Sequence, residues 1–254
     1  MSDGAEDGRA ALRSALVRRA GGYLQNVVRV DGVTCAVCAT FVVNGYTRCW
    51  QCKRHYEAYG GQLADLAVPL TYGVYGRQSG HLMHAYKSER PGETQRDFDL
   101  LLLSGLVHHS KCVELVVGKA VSARVAVPSL SGRWGVHPLV ALTNSRDITK
   151  PGLFLQPAPA ARTQRAVVRG MFTINDPRQI RGRHIMVIDD TWTTGGNAQS
   201  AALALRDAGA SHVSVLVAAR WLRLDNPPIA EAAKRHLVGD FRPLHCPVTG
   251  GCCP

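Results

Sequence analysis

The chain has 254 residues, 46% of them hydrophobic, so it can bury a substantial core and is not a disordered protein. Lys and Arg outnumber Asp and Glu by 30 to 19, which gives a formal charge of +11 and a sequence pI near 9.6. This balance favours polyanionic partners, but the basic residues are spread along the chain, and an ordinary solvated surface explains them equally well.

The N-terminal residues predict a cytoplasmic protein. They include Asp3, Glu6 and Asp7, and they lack the basic start and apolar run of a secretory signal. No later stretch approaches 18 consecutive apolar residues, so no membrane insertion is expected. In a reducing compartment, eight cysteines indicate metal binding in preference to disulfides.

In chain order, an N-terminal extension over residues 1–30 comes first. Residues 10–20 predict a short basic helix, which ends at Gly21 and Gly22 because glycine readily adopts the conformations that follow a helix. The nine residues before this helix are expected to be disordered. A cysteine-rich module over residues 31–59 follows.

Beyond a domain boundary near residue 60, helical and extended patterns alternate. Apolar spacing predicts helices over residues 53–67, 80–87, 96–117 and 199–208, and Pro69 marks the entry into new structure. Residues 72–75 look extended, and apolar runs predict buried strands at 124–127, 170–174, 184–188 and 212–218. This alternation implies an α/β fold with a parallel sheet flanked by helices, followed by a cysteine-containing tail over residues 241–254.

The most informative stretch is residues 185–197, which read IMVIDDTWTTGGN. An interior strand ends in two carboxylates, and a turn rich in hydroxyls and glycines then leads into a helix. The start of a helix presents unpaired amides and the positive end of its dipole, so this turn can wrap a phosphate dianion. Adjacent carboxylates can accept hydrogen bonds from a vicinal diol and, through water, help to hold Mg²⁺. Together these features describe a site for ribose 5-phosphate.

Two other interpretations of this stretch are an ordinary strand-to-helix connection and the metal-binding strand of a P-loop ATPase. The ATPase requires a GxxxxGK[ST] motif, which occurs nowhere in the chain, and the nearest fragment is Gly118-Lys119 followed by Ala120. The ordinary strand-to-helix connection is also a weaker interpretation than the ribose 5-phosphate site, because a plain turn does not need both acids and all the turn donors together.

Residues 185–197 resemble the phosphoribosyl-pyrophosphate motif of type I phosphoribosyltransferases, and their neighbourhood resembles the ComF subgroup, which is associated with DNA-uptake competence. The ComF resemblance covers roughly residues 33–220, including paired cysteines, the segment 72–87 and a helix that ends LRDAGA. It implies a type I phosphoribosyltransferase fold over residues 60–240, with a small N-terminal zinc ribbon.

Carried over by position, the resemblance makes Asp189 and Asp190 the acids that bind the ribose diol. It assigns the 5-phosphate loop to Thr191, Thr193, Thr194, Gly195 and Gly196, with Asn197 standing where threonine is usual, and it places Pro128, Ser129 and Leu130 in the pyrophosphate loop. Arg124 and Arg133 are nearby cations that could serve pyrophosphate, and Arg165 and Arg169 are candidates for a phosphate contact, in a segment that departs from the family pattern.

The implied reaction is displacement at C1 of phosphoribosyl pyrophosphate (PRPP) by a nitrogen nucleophile, with Mg²⁺ neutralising the departing pyrophosphate. Catalysis of this kind is mainly electrostatic and positional. The sequence shows no assignable general base and no segment that specifies the acceptor.

Cysteine pairs at Cys35/Cys38 and Cys49/Cys52 predict a structural zinc site, because two such pairs can bring four thiolates into a closed tetrahedron. A redox CxxC pair and buried free thiols are the alternatives. The tail cysteines Cys246, Cys252 and Cys253 can join a second metal site or pair transiently, but they show no identifiable partners. Cys112 is expected to fill the core, and His55, His108 and His109 are likewise expected to be structural.

Three functions therefore stay open. The chain is a working phosphoribosyltransferase, a regulator that binds PRPP or a nucleotide without turnover, or an adaptor that handles single-stranded DNA or contacts a DNA-uptake protein. For the third, Arg48, Lys53 and Arg54 with Tyr46 and Trp50 offer charge and stacking surfaces.

Overall fold

The structure of the chain is a computed structural model, which describes residues 3–43, 45–88, 92–130, 136–159, 161 and 165–254. Arg133, one of the cations predicted near pyrophosphate, lies outside these residues.

Helices and strands alternate through most of the described chain. The helices are α1 (Asp3–Ala20), α2 (Trp50–Tyr59), α3 (Gln78–Ala85), α4 (Glu93–Val117), α5 (Pro138–Ser145), α6 (Gly196–Asp207) and α7 (Pro227–His236). The strands are β1 (Leu66–Val74), β2 (Val121–Ala126), β3 (Leu155–Pro157), β4 (Phe172–Ile174), β5 (His184–Trp192) and β6 (His212–Leu222).

Four parallel strands form the central sheet in the order β1-β6-β5-β2. Side chains alternate between the two faces of this sheet, so Met186 and Ile188 of β5 pack on one side and Ile185 and Val187 on the other. All four are fully buried, as expected for an interior parallel strand. The predicted α/β class with a parallel sheet flanked by helices is confirmed.

Different elements cover the two faces of the sheet. The first face packs against α1, α3 and α4, and the second packs against α6 together with the thiols of Cys35, Cys38 and Cys52. The cysteine-rich module therefore shares a core with the sheet. The ring of Phe41 from this module stacks on Tyr72 of β1 at a centroid distance of 5.8 Å.

The N-terminal extension is bound to α4. Arg19 Nε donates to Asp97 Oδ1 at 2.6 Å, and the Tyr23 hydroxyl donates to Asp97 Oδ2 at 2.9 Å. Helix α1 begins at Asp3, well before residue 10, so the expected disorder of the first nine residues is wrong for most of them. Glu6 and Asp7 favour this longer helix because acidic side chains interact well with the positive end of the helix dipole.

Two further expectations differ from the structure. The helix predicted over residues 53–67 ends at Tyr59, and β1 begins at Leu66, so Pro69 lies inside a strand. Strand β1 is at the edge of the sheet, where a proline interrupts no second ladder. The strand predicted over residues 170–174 is β4, which pairs antiparallel with β3 outside the main sheet.

Helix α4 is long and apolar enough to span a membrane by length and composition alone, with a mean hydropathy of 1.5. Its side chains Phe98, Leu101 and Leu102 are buried in the core that also contains Ile188 of β5 and Leu216 of β6. These contacts make α4 a core helix of the α/β fold.

Close packing of α3 on the end of β1 depends on Gly80. A Cβ atom at this position would lie 2.2 Å from the carbonyl oxygen of Val74. We predict that Gly80→Ala lowers the free energy of unfolding by about 1–3 kcal/mol, because the backbone must move to relieve the clash. Urea denaturation measures this change.

Gly8→Ala is the matched control, since Gly8 is also a helical glycine but has no atom within 4 Å of the added Cβ. There the better helix propensity of alanine should raise stability by up to about 1 kcal/mol. Equal effects of the two substitutions would contradict the proposed clash.

Candidate functional site

The predicted phosphate and ribose residues lie at the carboxyl edge of the parallel sheet. Strand β5 carries Asp189 and Asp190 near its end, and α6 begins a few residues later at Gly196. On the neighbouring strand, the amide of Val127 donates to the carbonyl of Ile188 at 2.9 Å, so Pro128 and Ser129 follow directly beside the two acids. Ligands of open α/β sheets bind at this edge.

Asp190 is buried, with 8% of its surface exposed, and its charge is satisfied by the end of α3. The Tyr86 hydroxyl donates to Asp190 Oδ2 at 2.5 Å, and Lys87 Nζ lies 2.6 Å from the same oxygen. Burial works against the charged form of Asp190, but the Lys87 ammonium and the Tyr86 hydroxyl outweigh it and lower the pKa of Asp190. Asp190 is therefore an ionised, positioned carboxylate.

Asp189 is half-buried, and its carboxyl group has a different environment. Its Oδ1 accepts the backbone amide of Asp190 at 2.9 Å. Burial and the neighbouring Asp190 carboxylate raise the pKa of Asp189, while Lys87 opposes this shift. The contacts from α3 thus go to Oδ2 of Asp190, whereas Oδ1 of Asp189 takes a backbone amide.

The turn after β5 fits only glycine at two successive positions. Gly195 has a φ of 84°, and a Cβ there would lie 2.3 Å from the indole ring of Trp192. A Cβ at Gly196 would lie 2.6 Å from the carbonyl oxygen of Ala166. These glycines let the chain turn tightly into α6, where the first backbone amides have no intrahelical partner.

Polar side chains of the turn point in different directions. Thr193 is exposed, whereas the Thr194 hydroxyl donates to the carbonyl of Arg165 at 2.6 Å and accepts the amide of Gly196 at 3.4 Å. Asn197 Oδ1 is buried without a partner among the described residues. Exchange of the amide oxygen and nitrogen would present an N–H donor at this position instead.

Three of the arginines considered in the sequence have described positions. The backbone of Arg165 contacts the turn through Thr194, whereas Arg169 pairs with Asp207 and Gln62. The guanidinium of Arg124 lies 3.5 Å from the Ser110 hydroxyl on α4. Arg165 is thus beside the turn, whereas Arg124 and Arg169 have partners on other elements.

A cavity of about 430 Å³ opens beside the predicted pyrophosphate loop. Its lining includes Ala126 at the end of β2, Pro128, Asn144 of α5, and Thr149 and Lys150 from the following loop. This volume is sufficient for a small ligand next to the carboxyl edge of the sheet.

Arg220 of β6 supports the turn from inside the protein. Its guanidinium is buried, and Nη1 donates to the carbonyl oxygens of Trp192 at 2.7 Å and Thr193 at 2.9 Å. Burial disfavours its charge, but negative charge on the sulfurs of Cys38 and Cys49 outweighs this effect and raises the pKa of Arg220. One side chain therefore joins the predicted zinc site to the predicted phosphate turn.

The four module cysteines fit a tetrahedral metal site. The sulfur atoms of Cys35, Cys38, Cys49 and Cys52 all lie within 4.8 Å of one another, and those of Cys38 and Cys49 are 3.8 Å apart. A tetrahedron with metal–sulfur bonds of about 2.3 Å has edges of about 3.8 Å. The donor set matches structural zinc, and the nearby Arg220 would offset the negative charge of four thiolates.

The outer surface of the cysteine module combines aromatic and basic side chains. Trp50 and Tyr46 are 67% and 60% exposed, and the guanidinium of Arg54 lies 5.8 Å from the centroid of the Trp50 ring. Arg48 lies 4.1 Å from the centroid of the Tyr56 ring. This is the surface expected to contact nucleic acid if the protein does so.

Sequence reasoning missed three side chains at the site. Tyr86 and Lys87 fall within the segment that carries the family resemblance, but no pattern shows that they face Asp190, which is about a hundred residues away in the chain. Arg220 lies in an otherwise apolar strand. An arginine in an otherwise apolar strand could have indicated a buried cation held by polar partners, because an unpaired buried charge is costly.

Comparisons with known proteins add little to this geometry. No family model matches the chain, and no curated protein matches it. One solved structure that the chain resembles is the allosteric regulatory enzyme of purine biosynthesis, with 18% sequence identity and a TM-score of 0.28. The match covers 44% of this chain and 26% of the other, so the chain spans about a quarter of that enzyme's length. At this TM-score the likeness carries no argument about the site.

The support that Arg220 gives the turn is testable by substitution. Arg220→Met keeps a long apolar side chain but leaves the carbonyls of Trp192 and Thr193 without their charged donor. We expect a loss of at least about 2 kcal/mol in the free energy of unfolding, because hydrogen bonds to charged groups contribute about 1.5–3 kcal/mol each. Urea denaturation at neutral pH measures this loss in the free energy of unfolding.

Arg223→Met removes the same charge three residues away, where the side chain is 62% exposed and pairs with Asp225 on the surface. Its effect should stay within about 0.5 kcal/mol. If both variants unfold at the same urea concentration, Arg220 does not support the turn.

Proposed function

We propose that this protein binds phosphoribosyl pyrophosphate at the carboxyl edge of β5 and transfers its phosphoribosyl group to a nitrogen acceptor, as a ComF-like phosphoribosyltransferase. In reaction terms it is a pentosyltransferase. The observation that carries the proposal is the placement of two acids, a two-glycine turn and the start of α6 in one continuous segment beside Pro128.

The phosphate end of the substrate would occupy the turn from Thr193 to Asn197. Gly195 and Gly196 remove the side chains that would keep a ligand from the backbone, and the first amides of α6 supply donors along the positive end of the helix dipole. Thr193 is exposed and free to add its hydroxyl, and Thr191 is partly exposed. A phosphate dianion is the chemical group that such a turn accommodates best.

The ribose diol would be held by the acids. Lys87 and Tyr86 both contact Oδ2 of Asp190 and hold this acid in place, so that it need not reorient on binding. Asp189 and Asp190 fit a magnesium ion bound through water, because hard carboxylate oxygens suit Mg²⁺. When bound with the substrate, Mg²⁺ neutralises the charge of the departing pyrophosphate.

The pyrophosphate end would lie over Pro128 and Ser129, since these residues follow β2 next to Asp189. As C1 separates from pyrophosphate, positive charge develops on the ribose, and the nearby Asp190 carboxylate stabilises that charge. The cavity beside Pro128 offers room for an additional group. The acceptor is defined here only as a nitrogen nucleophile.

Reducing cytoplasmic conditions suit this proposal, because they keep the cysteines as thiols available for zinc. Zinc at Cys35, Cys38, Cys49 and Cys52 would act structurally. A closed set of four sulfur ligands leaves no open position for a reacting water.

Two other functions use features of the same structure. A regulator would bind PRPP or a nucleotide in this pocket without turnover. An enzyme would release pyrophosphate when it is screened with candidate acceptors, whereas a regulator would not. An adaptor for single-stranded DNA would instead use the exposed surface around Trp50, Tyr46 and Arg54.

Calorimetry of zinc-replete protein with PRPP and MgCl₂ tests the proposed pocket. We expect saturable binding by the parent and a loss of about a hundredfold or more in affinity in the double variant Asp189→Asn, Asp190→Asn. Asp190→Asn removes a charge-assisted contact worth about 1.5–3 kcal/mol, and Asp189→Asn removes a second hydrogen-bonding oxygen from the diol site.

Asp225→Asn is the control for this experiment, because Asp225 lies on the surface and pairs with Arg223. Its affinity for PRPP should equal that of the parent. The absence of binding heat in the parent would overturn the proposal, as would unchanged affinity in the double variant.

The adaptor function makes a separate prediction for fluorescence anisotropy with a labelled single strand. If the adaptor is correct, affinity falls steeply with salt and falls further in Trp50→Ala, because both charge and stacking are lost. If the pocket alone is functional, Trp50→Ala leaves PRPP affinity unchanged and single-strand binding is absent.

A further inference from the structure

A second group of metal-ligating side chains lies on the opposite face of the sheet from the cysteine module. It combines His109 and Cys112 of α4 with Cys246 and Cys253 of the C-terminal tail, and their ligand atoms all lie within 4.8 Å of one another. From the sequence we expect Cys112 to fill the core, His109 to be structural, and the tail cysteines to join a second metal site or pair transiently without an identifiable partner. Cys112 is indeed buried in the core. The structure adds the partners, because it places His109 and Cys112 beside two of the tail cysteines.

Spacing along α4 presents its two ligands to one point. Residues three apart on a helix are neighbours on the same face, and His109 and Cys112 are both almost fully buried there. The distance from His109 Nδ1 is 3.6 Å to Cys253 Sγ and 4.0 Å to Cys112 Sγ. Bonds of about 2.0 Å to nitrogen and 2.3 Å to sulfur give a tetrahedral edge of about 3.5 Å, close to these separations.

A hydrogen bond fixes which nitrogen of His109 faces the sulfurs. The other ring nitrogen, Nε2, lies 2.8 Å from the carbonyl oxygen of Pro243. A carbonyl can only accept, so Nε2 carries the proton and Nδ1 presents a lone pair to the cluster. Metal-bound histidines are oriented in this way by a carbonyl or carboxylate on the second nitrogen.

The tail forms a tight loop around Cys246. The amide of Cys246 donates to the carbonyl of Gly251, and the amide of Gly250 donates back to the carbonyl of Cys246, both at 2.8 Å. These two hydrogen bonds close the loop that brings the Cys246 sulfur into the group of four ligand atoms.

From this geometry we propose that the protein holds a second structural zinc ion, bound by His109, Cys112, Cys246 and Cys253. Three sulfurs and one imidazole form a closed tetrahedral set that suits Zn²⁺. The neighbouring Cys252 is not a ligand, because its sulfur does not join the group.

This zinc would attach the tail to the core. The tail in turn binds the segment that leads into the cysteine module, since Asn26 exchanges two hydrogen bonds with the backbone of Arg242, at 2.8 and 2.9 Å. Arg29 Nε donates to the carbonyl of Pro247 at 2.7 Å, and Nη2 donates to the carbonyl of Ala67 at 2.7 Å. A metal between α4 and the tail thus holds together elements that are distant in sequence.

Elemental analysis of untagged protein, expressed with zinc and purified without chelators, tests the proposal. We expect two zinc ions per chain in the parent, one in Cys246→Ser and two in Cys252→Ser. Cys49→Ser should also retain one, because it disrupts only the module site. One zinc ion per chain in the parent that Cys246→Ser retains, or two zinc ions in Cys246→Ser, would overturn the second site.

Cobalt substitution counts the thiolate ligands in the folded parent, so it tests the second site even if Cys246→Ser fails to fold. Cysteine thiolates give charge-transfer bands on Co²⁺, and two sites predict seven thiolate ligands per chain. Cys112→His should keep both metals but lose one thiolate's share of this absorbance. A parent spectrum that accounts for only four thiolates would contradict the proposal, as would a disulfide among Cys112, Cys246 and Cys253 in freshly purified protein.

Discussion

The buried guanidinium of Arg220 occupies the point where the sheet, the cysteine module and the turn after β5 meet. A buried cation is costly unless it is paired, and here Nη1 donates to two backbone carbonyls of the turn and to the carbonyl of Trp221 in β6, while the cysteine sulfurs of the module lie on the other side. The turn therefore owes part of its shape to a module that is far from it in the sequence. If zinc binds the module as proposed, its loss would change the partners of Arg220 and so alter the turn proposed to bind phosphate.

The second constraint is the lack of space where β5 turns into α6. Gly195 packs on the ring of Trp192, Gly196 packs on the carbonyl of Ala166, and Asp190 is held between Tyr86 and Lys87. Preorganised groups of this kind need little rearrangement on binding, which suits catalysis by position and electrostatics. The same packing explains why glycines occupy positions 195 and 196, where a side chain would collide with the Trp192 ring or the Ala166 carbonyl.

Features carried by continuous segments could be predicted from the sequence, whereas features assembled across the chain could not. The strand, the acids, the glycine turn and the start of α6 follow one another directly, so their pattern indicates their proximity. The contact of Lys87 with Asp190, the position of Arg220, and the meeting of His109 and Cys112 with the tail all depend on how helices pack on the sheet. Pro69 misled the prediction because a proline normally interrupts a strand, and only its edge position makes it acceptable.

A crystal structure of the protein soaked with ribose 5-phosphate tests the central claim most directly. The account predicts that the phosphate lies on the first amides of α6, between Thr193 and Asn197, and that the 2- and 3-hydroxyls donate to Asp189 and Asp190. Ribose 5-phosphate bound elsewhere, or a turn that stays empty at saturating concentration, would contradict the assignment of this edge as a phosphoribosyl site.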